Sequence, residues 1–207
     1  MDSLFSQLAA GVEAFIVSTG YLGIIILIAV ESVFAPIPSE VILPLTGFLV
    51  NKGQLWFPGT LLAATLGSVL GALFLYYLSN KLGEKRVLSI AAKYGKWLGL
   101  GKDDVLKGMD WFDKHGAKLV LFGRVIPTIR SVVSIPAGIT NMPLKKFVLY
   151  TSIGSAFWNG LLIGVGWGLG EKWQQVQQYT KYLEYVVLFF IVVFVIWFFW
   201  NKHKKKK

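Results

Sequence analysis

The chain has 207 residues, 55% of them hydrophobic and 15% charged, whereas an ordinary soluble domain carries about 25% charged residues. It has no cysteine, which excludes disulfide frameworks and thiolate metal sites, and its two histidines, His115 and His203, stand in charged segments away from the apolar stretches. The net charge of +10 gathers mostly in one middle segment and in the tail 202–207, so it reads as membrane topology rather than as a nucleic-acid footprint.

Residues 1–11 lack the basic start of a secretory signal and are expected to be retained. A transmembrane helix needs about 20 mainly apolar residues. Residues 12–30, with Glu13 near the entrance, predict the first span. Residues 32–50 are apolar too, but carry Pro36, Pro38 and Pro44. Residues 56–78 form a clear span. The segment 81–118 mixes nine basic and five acidic residues, and its part 90–106 reads as an amphipathic helix on the cytoplasmic surface. Asp103, Asp104, Asp110 and Asp113 read there as a solvated face, not a metal cluster. Residues 119–140 are apolar with Pro127 and Pro136. Residues 147–169 and 182–200 are full spans, and a basic tail follows at 201–207. Gly67-x3-Gly71 and Gly160-x3-Gly164, extended by Gly166, Gly168 and Gly170, predict close helix packing. Trp167, Trp173, Tyr179 and Tyr182 predict an interfacial aromatic belt.

The two proline-bearing stretches differ in kind from the spans. A proline removes a backbone donor and disrupts the helix before it. At membrane depth such backbone survives only buried in protein or lining a wet cavity. Both stretches are therefore expected to be re-entrant hairpins, broken at Pro36 and Pro38 in one and at Pro127 and Pro136 in the other. Lys and Arg concentrate between residues 80 and 118 and after Trp200, which places both segments, and by counting back the N-terminus, in the cytoplasm.

A repeat supports this layout. Leu82-Gly83-Glu84-Lys85 recurs as Leu169-Gly170-Glu171-Lys172, and the same offset of 87 relates Gly67-Ser68 to Gly154-Ser155. The expectation is an all-α polytopic membrane protein forming a single membrane domain. It has about four transmembrane helices and two opposed re-entrant hairpins in inverted repeats, at about 31–86 and 119–173. Inverted repeats typify secondary transporters, with the substrate at the repeat interface.

Away from loops and span ends, four ionisable residues lie at membrane depth: Glu31, Glu40, Arg124 and Arg130. An ionised group at a helix centre costs about 2.5–3.5 kcal/mol on insertion scales, so such residues mark a pathway or a partner. The carboxylates flank Pro36-Ile37-Pro38, and the arginines flank Pro127. The chain has three arginines against 18 lysines, and two of the three stand here, where a planar, permanently charged fork suits phosphate. One reading is that the four charges simply brace the hairpins. The sharper reading is a polar cavity in which Arg124 and Arg130 hold an anionic head group, while Glu31 and Glu40 balance the empty site and take up protons. No metal or cofactor is expected.

Glu31-x4-Pro36-x-Pro38-x-Glu40 and Phe122-Gly123-Arg124-x2-Pro127-x2-Arg130, followed by Pro136-Ala137-Gly138, resemble the bacterial DedA family of the SNARE-associated Golgi, or VTT-domain, group. The resemblance covers about residues 20–170. The first turn is shorter here than in some relatives, and Glu40 stands where those have Asp. What the resemblance implies is transport, not catalysis: bacterial relatives return undecaprenyl phosphate across the cytoplasmic membrane for cell-wall synthesis. Others are linked to phosphatidylethanolamine, and eukaryotic relatives scramble phospholipids. The implied partners are an anionic membrane lipid and protons, with room for a homo-oligomer and no nucleic acid. A phosphatidylethanolamine flippase, a proton or cation transporter and, further off, a membrane lipid phosphatase stand as alternatives.

Overall fold

The computed structural model describes residues 4–33, 39–98 and 102–170. The expected span 182–200, the tail 201–207, Trp173, Tyr179 and Tyr182, and the turn residues Pro36 and Pro38 lie outside the described residues. Among those described, every regular element is a helix: α1 (Leu4–Thr19), α2 (Tyr21–Val33), α3 (Ser39–Asn51), α4 (Phe57–Leu98), α5 (Lys102–His115), α6 (Lys118–Gly123), α7 (Pro127–Val132), α8 (Ser134–Ile139) and α9 (Leu144–Leu169).

Among the described residues two helices are long and apolar enough to cross a membrane, one within α4 and the other α9. Pro58 stands in the first turn of α4 and Pro143 just before α9, where a missing N–H leaves no helical bond unmade. Both spans end on a glycine with positive φ, Gly83 at +71° inside α4 and Gly170 at +47° after α9. Positive φ with ψ of 167° at Gly83 and −128° at Gly170 is backbone that glycine adopts far more readily than an L side chain, which gives the Leu-Gly-Glu-Lys repeat a physical role as a helix break.

Each span shows two faces. Leu62, Leu66, Leu70 and Phe74 of α4 are exposed, as are Leu149, Ile153, Phe157 and Leu161 of α9. A four-residue step keeps each set on one stripe, and such apolar stripes suit contact with lipid chains. The inner faces run Thr60, Ala64, Ser68, Ala72, Tyr76 and Phe147, Thr151, Ser155, Asn159, Ile163, all buried. Polar side chains thus sit mid-span, between two apolar clusters. One cluster joins Ile16, Ile24, Ile28, Ile42, Leu43 and Ile163. The other joins Tyr76, Phe112, Val120, Val133, Ala137 and Phe147.

Lipid tails are as apolar as leucine, so close backbone packing rather than the hydrophobic effect must hold such helices together. Two of the close approaches are reciprocal. On α3, a β-carbon at Gly47 would run into the carbonyl oxygen of Ile163 on α9. On α8, one at Gly138 would run into that of Tyr76 on α4, and Tyr76 and Ile163 are 87 residues apart. Gly67 approaches the carbonyl oxygen of Ile25 on α2 as Gly154 approaches that of Leu121 on α6, each leaving an added β-carbon 2.6 Å away. Hydrogen bonds reinforce the crossings: Asn51 Nδ2 donates to Trp167 O at 3.1 Å, Asn80 Nδ2 to Gly138 O at 3.0 Å and the Tyr76 hydroxyl to Met142 O at 2.7 Å.

Four expectations change. Residues 12–30 are not one helix, because Gly20, at φ +61°, separates α1 from α2; hydropathy cannot register a dihedral angle. The segment 90–106 does not lie free on a surface. Val105 is fully buried among Val87, Ala91 and Ile135, so α5 packs beneath α8. Gly160, Gly164 and Gly168 make no close approach, with nothing nearer than 3.6 Å to an added β-carbon at the first and nothing within 4 Å at the other two, while Gly166 sits hard against Pro44. Finally, Pro136 falls in the first turn of α8, a position a proline tolerates. The chain turns instead after Ile139, where Asn141 takes φ +53°.

Candidate functional site

The second proline-bearing stretch is three short helices rather than one. After α6, Arg124 closes the helix in αR conformation, Ile126 is extended at φ −102° and ψ 116°, and Pro127 opens α7 at its first position. The residue before a proline is driven out of the helical region, so this bend follows directly from Pro127. It turns α7 back on α6 and brings Arg124 and Arg130 to the wall of one cavity, with Ser32 of α2, Ser68 of α4 and Ser155, Trp158 and Asn159 of α9. The cavity itself is small, about 10 Å³, and open at its mouth.

The two arginines are held differently. Arg130 donates to the Glu31 carboxylate in an ion pair joining α7 to α2. Both side chains are nearly buried, 11% and 5% exposed. Arg124 is 3% exposed. Its Nη2 donates to Ser134 Oγ at 2.7 Å, while its Nε is buried without a partner. Among the described residues no carboxylate reaches Arg124. Counting the described residues alone, two guanidinium groups and one carboxylate leave one positive charge without a partner, and a buried charge is costly until something neutralises it.

Glu40 stands apart from the other three. It occupies the first turn of α3 and is exposed, a favourable place for a carboxylate because the helix dipole is positive there. The described structure thus joins Glu31 to Arg130, sets Arg124 beside them, and leaves Glu40 outside the cavity.

Five further lining residues are Ser32, Ser68, Ser155, Trp158 and Asn159. Asn159 Nδ2 donates to Ser68 Oγ at 3.3 Å, and the indole Nε1 of Trp158 is buried without an acceptor. Two of the five carried a signal in the sequence, since Ser68 and Ser155 belong to the repeated Gly-Ser pair. Trp158 and Asn159 carried none, because a neutral aromatic and an amide within an apolar span look like ordinary packing.

The VTT domain matches residues 37–168. Over 158 residues the chain is 42% identical to a Lactococcus lactis subsp. cremoris protein named alkaline phosphatase-like protein, covering 76% of this chain and 74% of that one. It is 34% identical over 177 residues to undecaprenyl phosphate transporter A of Bacillus subtilis, covering 86% and 83% of the two chains. It is 33% identical over 181 residues to undecaprenyl phosphate transporter A of Staphylococcus aureus, covering 86% and 89%. No solved structure matches the chain. With a domain match across most of its length and relatives at this identity, the chain belongs to the VTT-domain, or DedA, family of membrane proteins.

Proposed function

We propose that this protein moves a lipid phosphate between the leaflets of the bacterial cytoplasmic membrane, with undecaprenyl phosphate as its substrate. The observation that carries this reading is the uncompensated, buried Arg124 beside the Arg130–Glu31 pair. Among the described residues this cavity carries net positive charge between two spans, which favours an anion, and two guanidinium forks suit a phosphomonoester. The head group would enter the cavity while the hydrocarbon tail stays against the apolar stripes of α4 and α9. The names of the Bacillus and Staphylococcus relatives point to the same substrate.

In this reading Glu31 is the proton-responsive group. While ionised it neutralises Arg130 in the empty site. Protonation releases Arg130, and the site then carries two positive charges against the nearly two negative charges of a phosphomonoester. Glu40, exposed on α3, would take part only at the approach to the site. The reciprocal crossings of α3 on α9 and α8 on α4 support two opposed repeats, with α2 and α3 as the limbs of one hairpin and α6 to α8 forming the other. A cytoplasmic C-terminus completes the topology, while Glu13 of α1 pairs with Lys52 on the side from which the first hairpin enters.

The lactococcal relative's name raises phosphatase chemistry as the alternative. Cleavage would need an activated nucleophile with a base beside it. The hydroxyls at the cavity, on Ser32, Ser68 and Ser155, have guanidinium, indole and amide neighbours, and the nearby Glu31 is engaged by Arg130.

The test is reconstitution of the full chain into vesicles, following undecaprenyl phosphate and phosphatidylethanolamine side by side. Movement of the polyprenyl phosphate, abolished by Arg124→Ala/Arg130→Ala in folded protein, is the expected result. Movement of phosphatidylethanolamine alone, ion flux without either lipid, or release of inorganic phosphate would each replace this reading with the corresponding alternative.

A further inference from the structure

The scaffold around the cavity repeats, and its departures from repetition are informative. The offset of 87 maps Gly67-Ser68 onto Gly154-Ser155 and the buried Ala64 onto Thr151. It maps Gly71-Ala72 of α4 onto Trp158-Asn159 of α9. In α4 that step serves packing: Gly71 lies against the carbonyl oxygen of Ala29 and the side chain of Ser32, and Ala72 is buried. In α9 the same step places an indole and a carboxamide on the cavity wall. The opposing contacts change in step, since Gly67 meets Ile28 where Gly154 meets Arg124. At this step α9 thus presents hydrogen-bonding groups that α4 lacks.

What those groups can bind follows from their chemistry. An indole N–H donates and cannot accept, and a guanidinium N–H likewise. Trp158 Nε1 and Arg124 Nε are both buried without acceptors, and each such orphan is costly until an acceptor arrives. The acceptors on the wall are neutral hydroxyls and an amide oxygen, and the carboxylate of Glu31 is engaged by Arg130. Among the described residues an ammonium would find no unpaired carboxylate on this wall. A phosphomonoester, with three acceptor oxygens and no cation, has the acceptors that these donors lack.

We propose that Trp158 and the Asn159–Ser68 pair complete the anion site begun by Arg124, and that this donor-rich wall selects a phosphomonoester head group against one bearing an amine. The proposal rests on the lipid-phosphate reading above and adds the residues that set specificity. Trp158 supplies a donor without a charge, so it binds the phosphate oxygens without attracting a competing carboxylate. Asn159 is hydrogen-bonded to Ser68 and offers a further polar contact on α9 beside Ser155.

The test uses the full chain in phosphatidylcholine vesicles containing either undecaprenyl phosphate or phosphatidylethanolamine. Trp158→Phe keeps the ring and removes the N–H. It should slow movement of undecaprenyl phosphate at least about tenfold, the factor associated with one hydrogen bond to a charged group. Trp158→His, which restores a ring N–H, should recover part of that loss. Asn159→Asp should cut undecaprenyl phosphate movement further and raise movement of phosphatidylethanolamine relative to it, by turning an amide into a carboxylate. Melting of each variant in detergent separates loss of the fold from loss of the site, and the Phe/His difference, taken well above the ordinary imidazole pKa so that the ring is neutral, reads the restored N–H. Wild-type rates in Trp158→Phe, or equal loss for Phe and His, would overturn the specificity proposal and leave the lipid-phosphate reading standing. A wild type that moves no undecaprenyl phosphate would remove both.

Discussion

Arg130 of α7 and Glu31 of α2, 99 positions apart in sequence, form an ion pair that is nearly sealed from solvent. Removing one member of such a pair strands the other charge, at a cost of roughly 3–5 kcal/mol, whereas removing both costs much less. Glu31→Ala and Arg130→Ala should therefore each lower the melting temperature in detergent by on the order of 10 °C. The double variant should recover most of that loss. Additive losses would mean that the two side chains do not stabilise one another. The exposed-edge pair Lys52–Glu13, at 3.6 Å and about one third exposed on each side, provides the contrast. Lys52→Gln should change stability by less than about 1 kcal/mol.

The same pair should make transport respond to pH. If protonation of Glu31 frees Arg130 for phosphate, lipid movement in vesicles should depend on an imposed pH difference. Glu31→Gln, which holds the neutral state permanently, should abolish that dependence while preserving movement. Equal pH dependence in wild type and Glu31→Gln would assign proton coupling elsewhere, with exposed Glu40 the next residue to replace.

Much of the site was legible because charge is expensive at membrane depth: Glu31, Arg124 and Arg130 had few structural reasons to be where they are, and the described structure gathers them. Glu40 satisfied the same criterion but sits exposed at the start of α3, since sequence distance from a turn does not say which way a helix faces. Gly20 escaped notice because breaking a helix by positive φ leaves hydropathy unchanged. Trp158 and Asn159 became visible only when the two spans could be laid against each other and the repeat was seen to fail at that step. The Leu-Gly-Glu-Lys repeat was found as a pattern, and its meaning, two glycines turning at the ends of two spans, required the backbone angles.

Glycines in α9 offer an internal control on packing. Gly166 lies so close to Pro44 that a β-carbon would collide with its carbonyl, whereas Gly164 and Gly168 have nothing within 4 Å. Overpacking a tight contact costs about 1–3 kcal/mol, and more where backbone must move. Gly166→Ala and Gly47→Ala should thus lower the melting temperature clearly. Gly164→Ala and Gly168→Ala should leave it unchanged or raise it slightly, since alanine favours helix by up to about 1 kcal/mol. Similar behaviour at all four positions would contradict the α3–α9 crossing.

The opposed arrangement of the two units has a direct chemical readout, because the chain contains no cysteine and single cysteines can be introduced without background. Lys52, at the end of the first unit's hairpin limb, and Lys114, in the last turn of α5, are both exposed. The charge distribution assigns the region of Lys52 to the outside and that of Lys114 to the cytoplasm. A membrane-impermeant maleimide applied to intact cells should label Lys52→Cys at once and Lys114→Cys only after permeabilisation. Both sites are separated from the cavity, so labelling reports position rather than substrate binding. If both cysteines react from the same side, α4 does not carry the chain across the membrane. The hairpins would then enter from one face, and the two-sided access that lipid transport requires would have to come from another part of the chain.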